Sequence, residues 1–181
     1  MKELLYEYNV IKRGHFLLKS ERHSEQYINK DVIYSNPRLF KTTIIKFISL
    51  IGDFMPYVDI ITGPAVGGSL LALPISLHFN KIFIYPEKIG NSMVFRRGYD
   101  KLLNNKVVWM IEDIVTTGGS IEKLKQTIED NNGTVYGISC ICNRQDYPNI
   151  KSLINYNIQS YPKDDCPLCR KGIPLQNPKE S

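Results

Sequence analysis

The run Val107-Val108-Trp109-Met110-Ile111-Glu112-Asp113-Ile114-Val115-Thr116-Thr117-Gly118-Gly119-Ser120 constrains this chain more than any other segment. Five apolar residues, 107–111, predict a strand buried on both faces of a sheet. Two adjacent carboxylates, Glu112 and Asp113, stand where that strand is expected to emerge. In an open parallel sheet, ligands bind in the crevice beyond the C-terminal strand ends. A Thr-Thr-Gly-Gly-Ser turn follows, and then Ile121, Leu124 and Ile128 mark one face of a helix that Asn132-Gly133 ends. The glycines let backbone N–H groups converge, the hydroxyls add donors, and the helix N-terminus adds partial positive charge. Together they predict a phosphate cradle. Acids suited to sugar hydroxyls or a hydrated metal, followed by a phosphate nest, match the layout of a ribose 5-phosphate. A Walker loop is excluded, because no G-x-x-x-x-G-K-[ST] occurs. The plainer alternative is a solvated acidic strand end before an ordinary turn. Five turn-forming or hydroxyl residues directly behind the acids argue against it.

The rest of the chain supplies a frame for that segment. Short apolar runs at 58–62, 82–85 and 135–142 predict three more buried strands. Residues 67–78 lie between the first two and follow a helical pattern despite Pro74. Strand, helix, strand at this spacing implies right-handed βαβ units and a parallel sheet. Ahead of them, Asn36-Pro37 starts a helix with Phe40, Ile44, Phe47, Ile48 and Ile51 on its buried face and Gly52 at its end. Leu4, Leu5, Tyr8 and Ile11 predict a short opening helix, and the polar stretch 13–30 reads as loop and short strand. The connection 86–106 shows no apolar helical face, and it carries Glu87, Lys88, Gly90, Arg96, Arg97 and Gly98. A crossover of that kind is often a functional flap or hairpin. Past Tyr161, proline and charge predict an irregular tail.

With 181 residues the expectation is one domain with a core of its own. A hydrophobic fraction of 43% argues against intrinsic disorder. The net charge of +5 suits an anionic substrate. No Lys/Arg stripe interleaved with aromatics is present, so nucleic acid is not an expected partner. No apolar run approaches the roughly 20 residues of a membrane span. Lys2, Glu3 and Glu7 interrupt any signal-peptide core at the start. Four cysteines without an export signal point to a reducing cytoplasm. Cys166-x-x-Cys169 is half of a zinc motif, and structural zinc wants four ligands. Cys140 and Cys142 fall on a buried strand, and His15, His23 and His78 have no paired spacing. Packing or tail folding is therefore the favoured reading of that pair.

Residues 112–120 resemble the phosphoribosyl-pyrophosphate (PRPP) signature of the type I phosphoribosyltransferases. The resemblance implies an open parallel α/β sheet flanked by helices, with a small hood from residues 1–35 and 160–181. It implies that Glu112 and Asp113 hold the ribose hydroxyls and, through water, Mg²⁺. It also implies that Ile114, Val115, Thr116, Thr117, Gly118, Gly119 and Ser120 grip the 5-phosphate. Further segments resemble the orotate branch. Gly14-His15-Phe16-Leu17-Leu18-Lys19-Ser20 with Tyr27-Ile28-Asn29-Lys30 resembles its hood, and Gly63-Pro64-Ala65-Val66-Gly67-Gly68 its pyrophosphate loop. Cys142-Asn143-Arg144-Gln145 resembles the strand end whose arginine meets the orotate carboxylate, and Cys166-Pro167-Leu168-Cys169 with Gly172-Ile173-Pro174 resembles a bacterial tail. This assigns Lys88 to the catalytic flap beside Glu112 and Asp113, and Lys19, Tyr27, Ile28, Thr116 and Arg144 to the base. It implies Mg²⁺ as cofactor, orotate and PRPP as substrates, and a homodimer.

Two departures stand out. Lys88 is followed by Ile89-Gly90-Asn91-Ser92, without the second lysine and histidine of longer flaps, and Glu87 replaces the arginine usual before the lysine. Arg96 and Arg97 are then further candidates for the pyrophosphate. The rival readings are a phosphoribosyltransferase for another base and a PRPP-sensing regulator without turnover.

Overall fold

The computed structural model describes residues 1–18 and 20–178. Two compact units are present: Lys41–Tyr156, and Met1–Phe40 together with the described residues from Asn157 onward. Among the described residues no helix is long and apolar enough to cross a membrane.

The larger unit is built on five parallel strands. They are β3 (Ile60–Thr62), β4 (Ile82–Phe83), β7 (Val107–Val115), β8 (Thr134–Asn143) and β9 (Ile150–Asn155), in the order β4-β3-β7-β8-β9. Helix α3 (Pro37–Ile51) leads into it through a 3-10 turn at Gly52–Tyr57. The Asn36 side chain caps α3, accepting from the Leu39 N–H at 2.9 Å. From β3 the chain runs through α4 (Gly67–Phe79) to β4 at one side of the sheet, then returns to lay β7 on β3's other side. The order reverses between β3 and β7, and that is the switch point where open sheets bind ligands.

Three sequence expectations shift in the structure. The strand expected over 107–111 continues to Val115, so Glu112 and Asp113 lie inside it and are 7% and 3% exposed. Pairing with β8 as far as Val115↔Asn143 carries the strand past the apolar run. Edge strand β9 has no apolar signature, because Lys151 and Asn155 face solvent. The connection 86–106 folds as an antiparallel hairpin, β5 (Glu87–Ile89) and β6 (Ser92–Val94), followed by the short α5 (Tyr99–Leu102). Met93, Phe95 and Leu103 from this connection join the core that contains Val108, Met110, Leu124 and Ile128. Helix α6 (Gly119–Asp130) covers the same core with Ile121, Leu124 and Ile128, the three residues its spacing predicts.

In the smaller unit, α1 (Lys2–Glu7) precedes an antiparallel pair, β1 (Ile11–Leu17) and β2 (His23–Ile28). A bulge between Arg13 and Phe16 breaks the alternation, which is why stretch 13–30 reads as loop in the sequence. Helix α2 (Asp31–Ser35) follows. The tail returns to this pair, with Gln176 bridging Phe16 and Tyr161 bridging His23. A four-residue helix, α7 (Pro167–Arg170), lies between those bridges. Leu5, Val10, Phe16 and Ile33 form the buried interior.

Candidate functional site

Glu112 and Asp113 sit at the C-terminal end of β7, where β3 has already turned away. Each carboxylate is fixed by the backbone next to it. Glu112 Oε1 accepts the Asp113 N–H at 2.9 Å, and Asp113 Oδ1 accepts the Ile114 N–H at 2.6 Å. Beyond Val115 the chain bends through Thr116 and Thr117, both exposed, to Gly118 at φ +73°. That backbone angle favours glycine over any L side chain. Gly118 caps α6, and the Glu122 N–H donates to its carbonyl at 3.0 Å. A small pocket is lined by Glu112, Val115 and the whole turn 116–120. A twelve-residue helix whose open N–H groups face such a pocket favours an anion there.

The loop 63–66 after β3 packs on β7 near the same strand end. A Cβ added to Gly63 would lie 2.3 Å from the Ile111 carbonyl oxygen, and one added to Gly68 2.4 Å from the same atom. Both positions therefore require glycine, and the loop lies directly against β7. The Ala65–Val66 peptide is cis. Ser69 Oγ donates to the Gly63 carbonyl at 2.7 Å, which closes the loop onto the start of α4.

Arg144 follows β8. Its N–H donates to the Val115 carbonyl at 2.9 Å, so it enters the site beside Thr116. The residue is half-buried, and burial pulls its pKa below the ordinary guanidinium value while the Cys142 thiol opposes the shift. Asn143 is a buried residue that the sequence reading did not single out. It donates from Nδ2 to the Tyr147 carbonyl at 3.1 Å, and accepts the Tyr147 N–H on Oδ1 at 3.1 Å. This clamps the turn that carries Arg144. An amide just past an apolar strand run was the available signal.

Lys88 is exposed on β5. Its hairpin is tied to α6: Lys123 donates to the Asn91 side chain, and Thr127 Oγ1 donates to the Met93 carbonyl at 2.9 Å. Arg97 pairs with Glu87 at 3.1 Å and donates to the Tyr85 hydroxyl at 3.2 Å, which braces the hairpin base, while Arg96 is exposed. Lys19 lies outside the described residues. Tyr27 and Ile28 belong to β2 in the smaller unit, where Tyr27 packs on Phe16 with ring centroids 5.8 Å apart and Ile28 is buried. A cavity of about 520 Å³ is lined by Phe54, Trp109, Tyr136, Gly137 and Lys151. It has no carboxylate and no phosphate turn, and Lys151 sits over the Phe54 ring at 4.4 Å, so the site chemistry is assigned to the switch point.

No family model matches the chain. Over 183 aligned residues it is 33% identical to an orotate phosphoribosyltransferase of Caldanaerobacter subterraneus subsp. tengcongensis, covering 97% of this chain and 94% of that protein. Its fold matches the crystal structure of orotate phosphoribosyltransferase from Aeropyrum pernix (TM-score 0.66, 21% identity, 96% of this chain and 89% of that one). The adenine phosphoribosyltransferase of Saccharomyces cerevisiae matches as well (TM-score 0.66, 19% identity, 85% of this chain and all of that one). A parallel sheet with two carboxylates and a Thr-Thr-Gly-Gly-Ser turn at its switch point, in a near-full-length relative of such enzymes, places this chain in the type I phosphoribosyltransferase family. Its reaction is transfer of a phosphoribosyl group from PRPP to a base.

Proposed function

We propose that the base is orotate and the product orotidine 5′-monophosphate, a step of UMP biosynthesis. The observation that carries this reading is Arg144, whose backbone N–H is held by the Val115 carbonyl beside the turn 116–120. A planar fork of N–H donors matches a carboxylate with two parallel hydrogen bonds. Orotate bears that carboxylate and adenine does not. The names of the near-full-length relatives support the same choice.

In this reading Glu112 and Asp113 receive the ribose hydroxyls, and the turn 114–120 holds the 5-phosphate. The segment 63–68 and Lys88 receive the leaving pyrophosphate, and Thr116 and Arg144 orient the base. Two buried carboxylates are hard oxygen donors of the type Mg²⁺ prefers, and they would hold it through water. When bound, the ion neutralises charge on the leaving pyrophosphate. The ribose carbon passes through an oxocarbenium-like state, as in glycoside cleavage. Orotate is already anionic, so no strong base is needed, and positioning with electrostatic stabilisation carries the rate. A homodimer fits the exposed apolar stripe of Val66, Leu70, Leu73 and Leu77 along α4, and sedimentation equilibrium tests it. Loss of orotate absorbance on adding PRPP and Mg²⁺ tests the activity. Turnover of adenine in place of orotate would favour the purine reading.

A further inference from the structure

The smaller unit gathers four metal-ligating side chains that the sequence keeps far apart. His15 from β1, His23 from β2, and Cys166 and Cys169 around α7 bring one ligand atom each to within 4.8 Å of all the others. His15 Nε2 lies 3.0 Å from His23 Nδ1, 3.6 Å from Cys166 Sγ and 3.8 Å from Cys169 Sγ. Cys169 Sγ lies 3.2 Å from His23 Nδ1. We propose that these four residues bind one structural Zn²⁺ in a tetrahedral Cys₂His₂ site, which pins the C-terminal tail to the β1–β2 pair.

The distances carry the argument. With Zn–N near 2.0–2.1 Å and Zn–S near 2.3 Å, the edges of a tetrahedron are about 3.3 Å between nitrogens and about 3.5 Å between nitrogen and sulfur. The observed separations of 3.0–3.8 Å bracket those edges. The remaining two pairs lie within 4.8 Å, so modest side-chain closure brings all four ligands onto one central ion. A two-iron cluster with its histidines on one iron and its cysteines on the other would separate the two pairs. Here a sulfur approaches an imidazole nitrogen at 3.2 Å, so a single ion fits. Soft thiolates with imidazoles in tetrahedral array select zinc among divalent ions.

The surroundings are built for it. His15 Nδ1 donates to the Ile173 carbonyl at 2.7 Å, which leaves Nε2, the atom facing the cluster, with its lone pair. His15, His23 and Cys166 are each 3% exposed or less. Pro167 starts α7 directly after Cys166, and one helical turn brings Cys169 to the same side. The Gly172 N–H donates to the Cys169 carbonyl at 2.9 Å, and Gly172, at φ +67°, turns the chain towards Ile173. Binding would displace one proton from each thiol, and two thiolates with Zn²⁺ form a neutral group suited to burial. The site uses none of the phosphoribosyltransferase residues and stands whether or not orotate is the base.

The test uses the full chain, purified without metal-affinity chromatography and dialysed against zinc and then metal-free buffer. Mass spectrometry for metals is expected to find one zinc per chain. The Cys166→Ser/Cys169→Ser variant is expected to lose at least four-fifths of it. Replacement by Co²⁺ in the parent is expected to give tetrahedral ligand-field absorption with a thiolate charge-transfer band, a readout that needs no variant to fold. Strong chelation is expected to lower the thermal midpoint of the parent by several degrees. No stoichiometric zinc in the parent, cobalt without thiolate bands, zinc retained in the double variant, or a Cys166–Cys169 disulfide in the unreduced chain would each overturn the proposal.

Discussion

The Arg144 N–H donates to the carbonyl oxygen of Val115 at 2.9 Å, which joins the first residue after β8 to the last residue of β7. The Arg144 side chain therefore starts from a fixed backbone beside the turn 116–120. Replacing Arg144 with Leu removes the fork and leaves that backbone bond in place. The orotate KM is expected to rise at least tenfold, while the PRPP KM changes less than twofold. Asn143→Ala loosens the Tyr147 clamp and is expected to raise the orotate KM by a smaller factor. Steady-state kinetics with each substrate varied in turn checks both. Equal losses for the two substrates would assign Arg144 a structural role.

Glu112→Gln and Asp113→Asn keep side-chain volume and remove charge. Each original carboxylate oxygen accepts a neighbouring backbone N–H, and the amide oxygen of the variant accepts the same bond. The fold is expected to survive in both, as circular dichroism would report. Turnover is expected to fall tens-fold or more, because charge-assisted hydrogen bonds are worth roughly 1.5–3 kcal/mol each. Full activity in both variants would remove the carboxylates from the mechanism.

The β7–α6 corner was legible in the sequence where local chemistry repeats a physical rule. Acids after an apolar run, then glycines and hydroxyls before a helix, specify the β7–α6 corner by themselves. The strand's true end was not legible, since Ile114 and Val115 are held in register by Cys142 and Asn143 of β8. Nor was the reason for Gly63 and Gly68, which lies in the Ile111 carbonyl more than forty residues away. The metal-ligand cluster was hidden for the same cause. His15 and His23 face each other across a bulged strand pair, and the cysteines arrive from the other end of the chain. Spacing along the chain registers ligands on one element and is blind to ligands from three.

Cys142 is buried on β8, and burial pushes its thiol up to about 12, with Arg144 pulling the other way. Cys140 is raised as well, first by burial and then by the Cys142 thiol and Glu112. An unfolded thiol ionises near 8.5. Below that pH both states hold the proton, and the contribution to stability is fully present. Between there and the folded value the unfolded state loses the proton first, so stability falls as pH rises. Urea unfolding of the parent is expected to show a declining midpoint from about pH 8.5 upward, by that linkage. Cys142→Ala is expected to flatten the decline. An unchanged slope in the variant would place the pH dependence elsewhere.

Lys88 stands exposed on a hairpin whose far strand is anchored in the core and whose tip is held by one exposed side-chain hydrogen bond. Met93 and Phe95 are in the core and the Met93 carbonyl accepts from Thr127, whereas residues 88–92 are exposed. A closing movement is therefore expected at the tip, with the Asn91–Lys123 hydrogen bond as the contact to break. A tip that swings over the leaving pyrophosphate would exclude water and bring a flexible point charge to it. Lys88→Ala is expected to lower kcat at least tenfold and raise the PRPP KM, with orotate binding little changed. Raised salt is expected to mimic part of the PRPP effect, because an exposed cation is screened. Proteolysis between Lys88 and Ser92 is expected to slow when PRPP and Mg²⁺ are present. Parental turnover in Lys88→Ala, together with cleavage indifferent to ligand, would move the assignment to Arg96, since Arg97 is committed to Glu87 and Tyr85 at the hairpin's base.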